Sequence, residues 1–212
     1  MMEVIRNNIS KIFIASALII IGVIGRLAFL EFLPSSPSIY LTLNGVTQPM
    51  FMMDLFFLIA IICILSGLLL KSYFVFLVPL SIMLVTDVII GNNFIFLFTW
   101  SGFAMIGLIS YILKSKNKFV IQKTPLIFGA SIGSVLIYDL WTNLGCWLGW
   151  YPNTIEGLTL CFTNALPFTL WHLLSTTIAL TIIVLPILYI KEHLKIKLDY
   201  SIKPMEKPLS FR

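Results

Sequence analysis

Five ionisable side chains lie inside or at the ends of long apolar runs: Arg26, Asp54, Asp87, Asp139 and His172. A charged group at the centre of a bilayer costs about 2.5–3.5 kcal/mol on insertion scales. Each therefore needs water, a partner or a ligand. Carboxylates beside a guanidinium and an imidazole can bind a polar small molecule, and a proton-transfer or ion-coupled role for Asp139 with His172 also stays open. Asp139 lies deepest, and on a helix it shares one face with Asn143 and Trp147, at i, i+4 and i+8. A carboxylate, an amide and an indole on one face make a candidate pocket wall, with Arg26 as the expected basic partner. The other four groups also have purely structural readings. Asp54 suits the positive N-terminus of a helix, and Asp87 precedes a Gly91-Asn92-Asn93 helix stop. Arg26 can snorkel or pair with Glu31, and His172 can bond a neighbouring helix.

Other chemistry has little support. No Gly-rich phosphate loop, H-E-x-x-H or G-x-S-x-G occurs. Two histidines, His172 and His193, make no metal site, and Cys63, Cys146 and Cys161 lack paired spacing. No cofactor is expected, and nothing in the chain specifies an enzymatic reaction.

The elements that position these groups follow from composition. Of 212 residues 59% are hydrophobic and 11% charged, against about 25% charged in soluble domains. That excludes a soluble globule, a disordered chain and a disulfide scaffold. Apolar segments at 11–30, 52–70, 73–90, 94–113, 125–148 and 165–190 each suit a transmembrane helix, which satisfies its own backbone in lipid. The alternation of a β-barrel is absent. The expected fold is all-α: one polytopic six-helix membrane domain over 1–190 with a basic tail over 191–212. The first segment is too long for a signal-peptide core and lacks a cleavage site.

Orientation follows from Lys and Arg. Apart from Arg26, every basic residue falls before or at the start of the first segment, between the second and third, between the fourth and fifth, or after the sixth. The connections at 31–51, 91–93 and 149–164 contain none. The positive-inside rule then puts both termini in the cytoplasm of a multi-pass cell-membrane protein. The basic residues form no continuous face for nucleic acid, and the tail suits anionic membrane lipid.

In the first outer connection Pro34, Pro37 and Pro49 forbid a continuous helix. The alternation Ile39-Tyr40-Leu41-Thr42-Leu43 before Asn44-Gly45 predicts a hairpin with a type I′ turn, as a lid or a surface loop. In the second, Trp147, Trp150 and Tyr151 suit a membrane interface. Pro152 and Gly157 bracket a turn or short helix, and Glu156 is expected in solvent. Cys146 and Cys161 flank this loop as a bridge or as two thiols, and Cys63 reads as a core residue. Gly129 with Gly133 and Ala130 with Ser134 form small-xxx-small pairs, suited to tight packing within the monomer or to dimerisation.

Several stretches carry a resemblance: Thr142-Asn143-Leu144-Gly145-Cys146-Trp147-Leu148, Tyr151-Pro152-Asn153-Thr154 with Gly157-Leu158 and Cys161, Ala165-Leu166-Pro167-Phe168, and the earlier Leu77-Val78-Pro79-Leu80 with Asp87. Over about residues 65–185 the chain resembles a prokaryotic family of small, uncharacterised six-span membrane proteins. That family is in turn similar to the substrate-binding S-components of energy-coupling-factor (ECF) vitamin transporters. The resemblance implies an S-component-like bundle that binds a vitamin or precursor in an outward pocket, under the loop after helix one. It also implies association with a transmembrane coupling subunit and cytoplasmic ATPases. One departure stands out: the first helix has Ala15, Ala17, Gly22 and Gly25 but no Ala-x-x-x-Ala pair.

The residues expected to meet a small-molecule substrate are Asp139, Asn143, Trp147, Arg26, His172, Asp87 and Asp54. A second reading is a non-transporting structural or accessory subunit of a membrane complex. Retention of a small molecule favours the first, and stable co-purification with non-ATPase membrane subunits the second.

Overall fold

A computed structural model describes residues 2–31, 33, 38–70, 73–113 and 120–202. Pro34 and Pro37, and the basic residues Lys71, Lys114, Lys116, Lys118, Lys203, Lys207 and Arg212, lie outside them. The order is α1 (Met2–Leu30), a hairpin of β1 (Ser38–Leu43) and β2 (Val46–Met52), α2 (Phe56–Leu69), α3 (Phe74–Ile90), α4 (Phe96–Leu113) and α5 (Val120–Trp150). A last rod joins α6 (Ile155–Ala179), a π-helical turn (Leu180–Val184) and α7 (Leu185–Ile202) without interruption. The chain is thus a predominantly helical, multi-span bundle of six rods.

The segments are not equal. Four described stretches, Asn8–Leu30, Phe96–Leu113, Lys123–Trp150 and Ile155–Leu194, are long and apolar enough to cross a membrane. The expected second span is shorter than its apolar run. α2 has 14 residues, about 21 Å at 1.5 Å per residue, against a hydrocarbon core of about 30 Å. β2 takes only Met52 of that run, and the non-helical residues 53–55 separate it from the helix. α2 is the central element, touching α1, α3, α4 and α6, with Ile59, Ala60, Cys63 and Ile64 fully enclosed. Being apolar all round, it packs against protein, not lipid. At Gly67 the α4 backbone comes so close that a Cβ would sit 2.4 Å from the Gly107 carbonyl oxygen.

The hairpin forms where Asn44-Gly45 places it. Leu43 pairs with Val46 across a two-residue turn, and both turn residues take positive φ (53° and 80°), as a type I′ turn requires. Pro49 is accommodated beside an irregularity between Ile39 and Tyr40, where an edge strand tolerates a missing N–H. β2 packs against α6.

The second outer connection differs from expectation. α5 continues to Trp150, and α6 begins at Ile155. The expected 149–164 loop is therefore a four-residue turn followed by helix. Thr154 caps α6 by accepting the Gly157 amide at 3.1 Å, and its backbone is extended, so the N-cap signal outweighs Pro152 and Gly157 as loop markers. Glu156 is exposed, as expected. Cys63 is a buried core residue, while Cys146 and Cys161 are free thiols. The Gly129/Gly133 pair does not make a close contact within the monomer: a Cβ built at either glycine meets nothing within 4 Å. Ser134, by contrast, is buried.

Candidate functional site

Two polar clusters form where the hairpin end of the bundle brings α1–α6 together. In the first, α1 presents Arg26 to the last turn of α3. Arg26 Nη1 donates to Asp87 Oδ1 at 2.5 Å and to Thr86 Oγ1. Asp87 Oδ2 accepts from Trp100 Nε1 of α4 at 2.6 Å and from the Asn92 side-chain amide. The carboxylate is 5% exposed, and several donors meet its charge. Asp87 also closes α3, its carbonyl accepting the Gly91 amide at 2.9 Å. Arg26 thus pairs with Asp87, neither with Asp139 nor with Glu31.

In the second, His172 of α6 lies between two carboxylates. Its Nδ1 is 2.6 Å from Asp139 Oδ1 of α5, and its Nε2 is 2.8 Å from Asp54 Oδ2, just before α2. Asp54 Oδ1 accepts the Phe56 amide at 3.0 Å, so the same carboxylate fastens the α2 N-terminus as expected. Trp171, next to His172, donates its indole N–H to the Asp54 carbonyl at 3.0 Å. The imidazole stacks on Phe56, and Phe56 in turn lies against Phe103 and Tyr138. Asp139 Oδ2 is buried and has no hydrogen-bond partner among the described residues.

Both ring nitrogens of His172 lie within hydrogen-bond distance of a carboxylate, so the side chain ties the start of α2 to α5. The His172 and Asp139 side chains are 9% and 6% exposed, that of Asp54 36%. Asp54 is therefore the most exposed member of the triad.

Two cavities flank the triad. One, of about 310 Å³, is lined by Arg26, Asp54, Asp87 and Asn92 together with Phe56, Phe103 and Tyr138. The other, of about 390 Å³, runs from Asp139 and His172 past Asn143 and Cys161 to Trp150 and Tyr151 at the α5–α6 turn. Ile95, Thr99 and Tyr138 line both, and so form the wall between them. The seven residues singled out in the sequence are thus divided: Arg26, Asp54 and Asp87 line the first cavity, Asp139, Asn143 and His172 the second. Trp147 lines neither, and its indole N–H donates to the Pro152 carbonyl at 3.0 Å across the α5–α6 turn. The hairpin residues 38–52 line neither as well.

Sequence reasoning missed Phe56, Phe103 and Tyr138, since an aromatic in an apolar run carries no mark of facing a cavity. It also missed Trp100 and Asn92, whose partner lies across a helix–helix contact.

The chain belongs to a family of unknown function, DUF6580, whose model matches residues 6–196. No curated protein and no solved structure matches the chain.

Proposed function

We propose that this protein is the substrate-binding membrane component of a small-molecule uptake system, similar in role to the S-components of ECF vitamin transporters. The observation that carries the reading is the 310 Å³ cavity, where charged groups from α1, the start of α2 and α3 meet aromatic side chains. Ligand pockets are mostly apolar concavities of about 300–1,000 Å³ with a few convergent polar groups. Buried charges in membrane helices usually mark ligand or ion paths.

In this reading both termini are cytoplasmic and the hairpin end faces outward. The Lys and Arg distribution supports that orientation. Cargo enters beside Asn92, meets Asp54, and lays an apolar or ring portion on Phe56 and Phe103. A transmembrane coupling subunit with cytoplasmic ATPases supplies the energy. That subunit meets a surface other than the α1 glycines. Gly22 packs on Ile82 and Ile62, and Gly25 on Leu58.

The test is mass spectrometry of small molecules retained after mild detergent extraction. One stoichiometric compound, lost or reduced in Asp54→Asn, is expected. An empty protein that co-purifies stably with non-ATPase membrane subunits would overturn the reading in favour of an accessory subunit.

A further inference from the structure

We infer that the cavity shared by Arg26 and Asp54 takes a small zwitterion of the amino-acid type. Its carboxylate meets Arg26, its ammonium meets Asp54, and its apolar or ring part lies among the aromatic side chains. The inference names a substrate class for the uptake reading and rests on that reading for its biological use, but on geometry for its chemistry.

The Arg26 guanidinium is only partly engaged. Arginine carries five N–H donors in a planar fork. The side-chain hydrogen bonds of Arg26 all leave from Nη1: to Asp87 Oδ1 at 2.5 Å, to Thr86 Oγ1, and to Met83 Sδ at 3.5 Å. Those three partners are buried, so Nη1 is the inward end of the fork. Nε and Nη2 have no hydrogen-bond partner among the described residues. The Arg26 side chain is nevertheless 22% exposed, and it lines the cavity. The Nε–Nη2 edge is thus left for a ligand, and such an edge binds a carboxylate through two parallel hydrogen bonds.

Asp54 supplies the opposite sign in the same cavity. An ionised carboxylate has about four lone-pair sites. The Phe56 amide takes one on Oδ1, and His172 Nε2 takes one on Oδ2. The side chain is 36% exposed, so its remaining sites can meet a ligand ammonium. Phe56, Phe103 and Tyr138 line the cavity as well, and aromatic faces suit both an ammonium and an apolar side chain.

A ligand of one sign matches this lining less well. A simple amine satisfies Asp54 but leaves the Arg26 edge bare and sets a second cation in its cavity. A simple carboxylate satisfies Arg26 but shares the cavity with Asp54 and Asp87. A zwitterion brings one group of each sign and no net charge, so it adds no uncompensated charge to a site among apolar helices.

The experiment uses the full chain in detergent and isothermal titration at neutral pH. Three probes share a phenyl ring: phenylalanine, phenethylamine, which lacks the carboxylate, and hydrocinnamate, which lacks the amine. Phenylalanine is expected to bind at least about tenfold more tightly than either, since each of the others loses a charge-assisted contact. Arg26→Lys keeps a cation beside Asp87 but has no fork. It should bring phenylalanine down towards phenethylamine and leave phenethylamine no weaker. Asp54→Asn keeps an oxygen for the Phe56 amide. It should bring phenylalanine down towards hydrocinnamate and leave hydrocinnamate no weaker. If neither variant folds, the three wild-type affinities decide alone. Equal or tighter binding of either one-ended probe, binding of none of the three, or an unchanged phenylalanine affinity in either folded variant would each overturn the inference. A retained native compound without both charges leaves the uptake reading standing and removes this one. Zwitterion binding by a protein that retains nothing and co-purifies stably with non-ATPase membrane subunits would remove the uptake reading and keep this one.

Discussion

The imidazole of His172 lies nearly flat on the Phe56 ring, centroids 4.0 Å apart and planes inclined by 24°. The stack holds the ring plane so that one nitrogen meets α5 and the other the start of α2. Phe56 is the first residue of α2, and its amide is bonded to Asp54, so the same short segment supplies both the stacking face and one carboxylate. Replacing Phe56 with Leu keeps an apolar side chain but removes the stack. A loss of about 0.5–1.5 kcal/mol beyond the change in buried area is expected, read as a lower melting temperature in detergent. Phe103→Leu, which leaves the Phe56–His172 pair intact, should disturb the His172 ring resonances in NMR spectra much less.

Arg26 and Asp87 stabilise each other, and removing one strands the other. Arg26→Met should destabilise by about 3–5 kcal/mol, the usual cost of breaking a buried pair. The double variant Arg26→Met with Asp87→Asn should recover much of that loss, because no uncompensated charge remains. A double-mutant cycle on thermal or chemical unfolding measures the coupling. Additive single effects would mean that the two groups act independently.

Gly67 and Gly129 should respond in opposite ways to one added methyl. At Gly67 the new Cβ meets backbone, the Gly107 carbonyl oxygen at 2.4 Å and the Tyr111 nitrogen at 2.7 Å. Gly67→Ala should force α2 and α4 apart and cost at least about 1–3 kcal/mol. Gly129→Ala meets open space and should be neutral or slightly stabilising, since alanine favours a helix by about 1 kcal/mol over glycine. Melting curves of the two variants in one detergent decide it.

Orientation can be tested on exposed described positions. With Cys63, Cys146 and Cys161 replaced, single cysteines at Thr42 in the hairpin and at His193 in α7 should react with an impermeant thiol reagent from opposite sides. Labelling of Thr42→Cys from outside and of His193→Cys only after permeabilisation is expected. Labelling of both from one side would overturn the orientation.

Much of the architecture was legible because it rests on local or compositional rules. A charged fraction this low leaves no soluble solution, and runs of apolar residues give helices because lipid leaves the backbone no other partner. Asn44-Gly45 specified its hairpin through two positive φ angles. The five ionisable groups marked themselves by their cost in an apolar run. Tertiary structure decided which of them meet. Asp139 was expected to pair with Arg26, the one Lys or Arg well inside an apolar segment, yet α6 brings His172 to it and α3 gives Arg26 to Asp87. Helix periodicity fixes the face a side chain occupies, but not which neighbour covers that face. For the same reason one expected pocket became two cavities. Tyr138 stands next to Asp139 in sequence, and the turn of α5 that buries both makes Tyr138 part of the wall. α2 ends up short because its helix starts only at Phe56, whose amide Asp54 holds, and central because α1, α3, α4 and α6 all pack on it, contacts that no local pattern specifies.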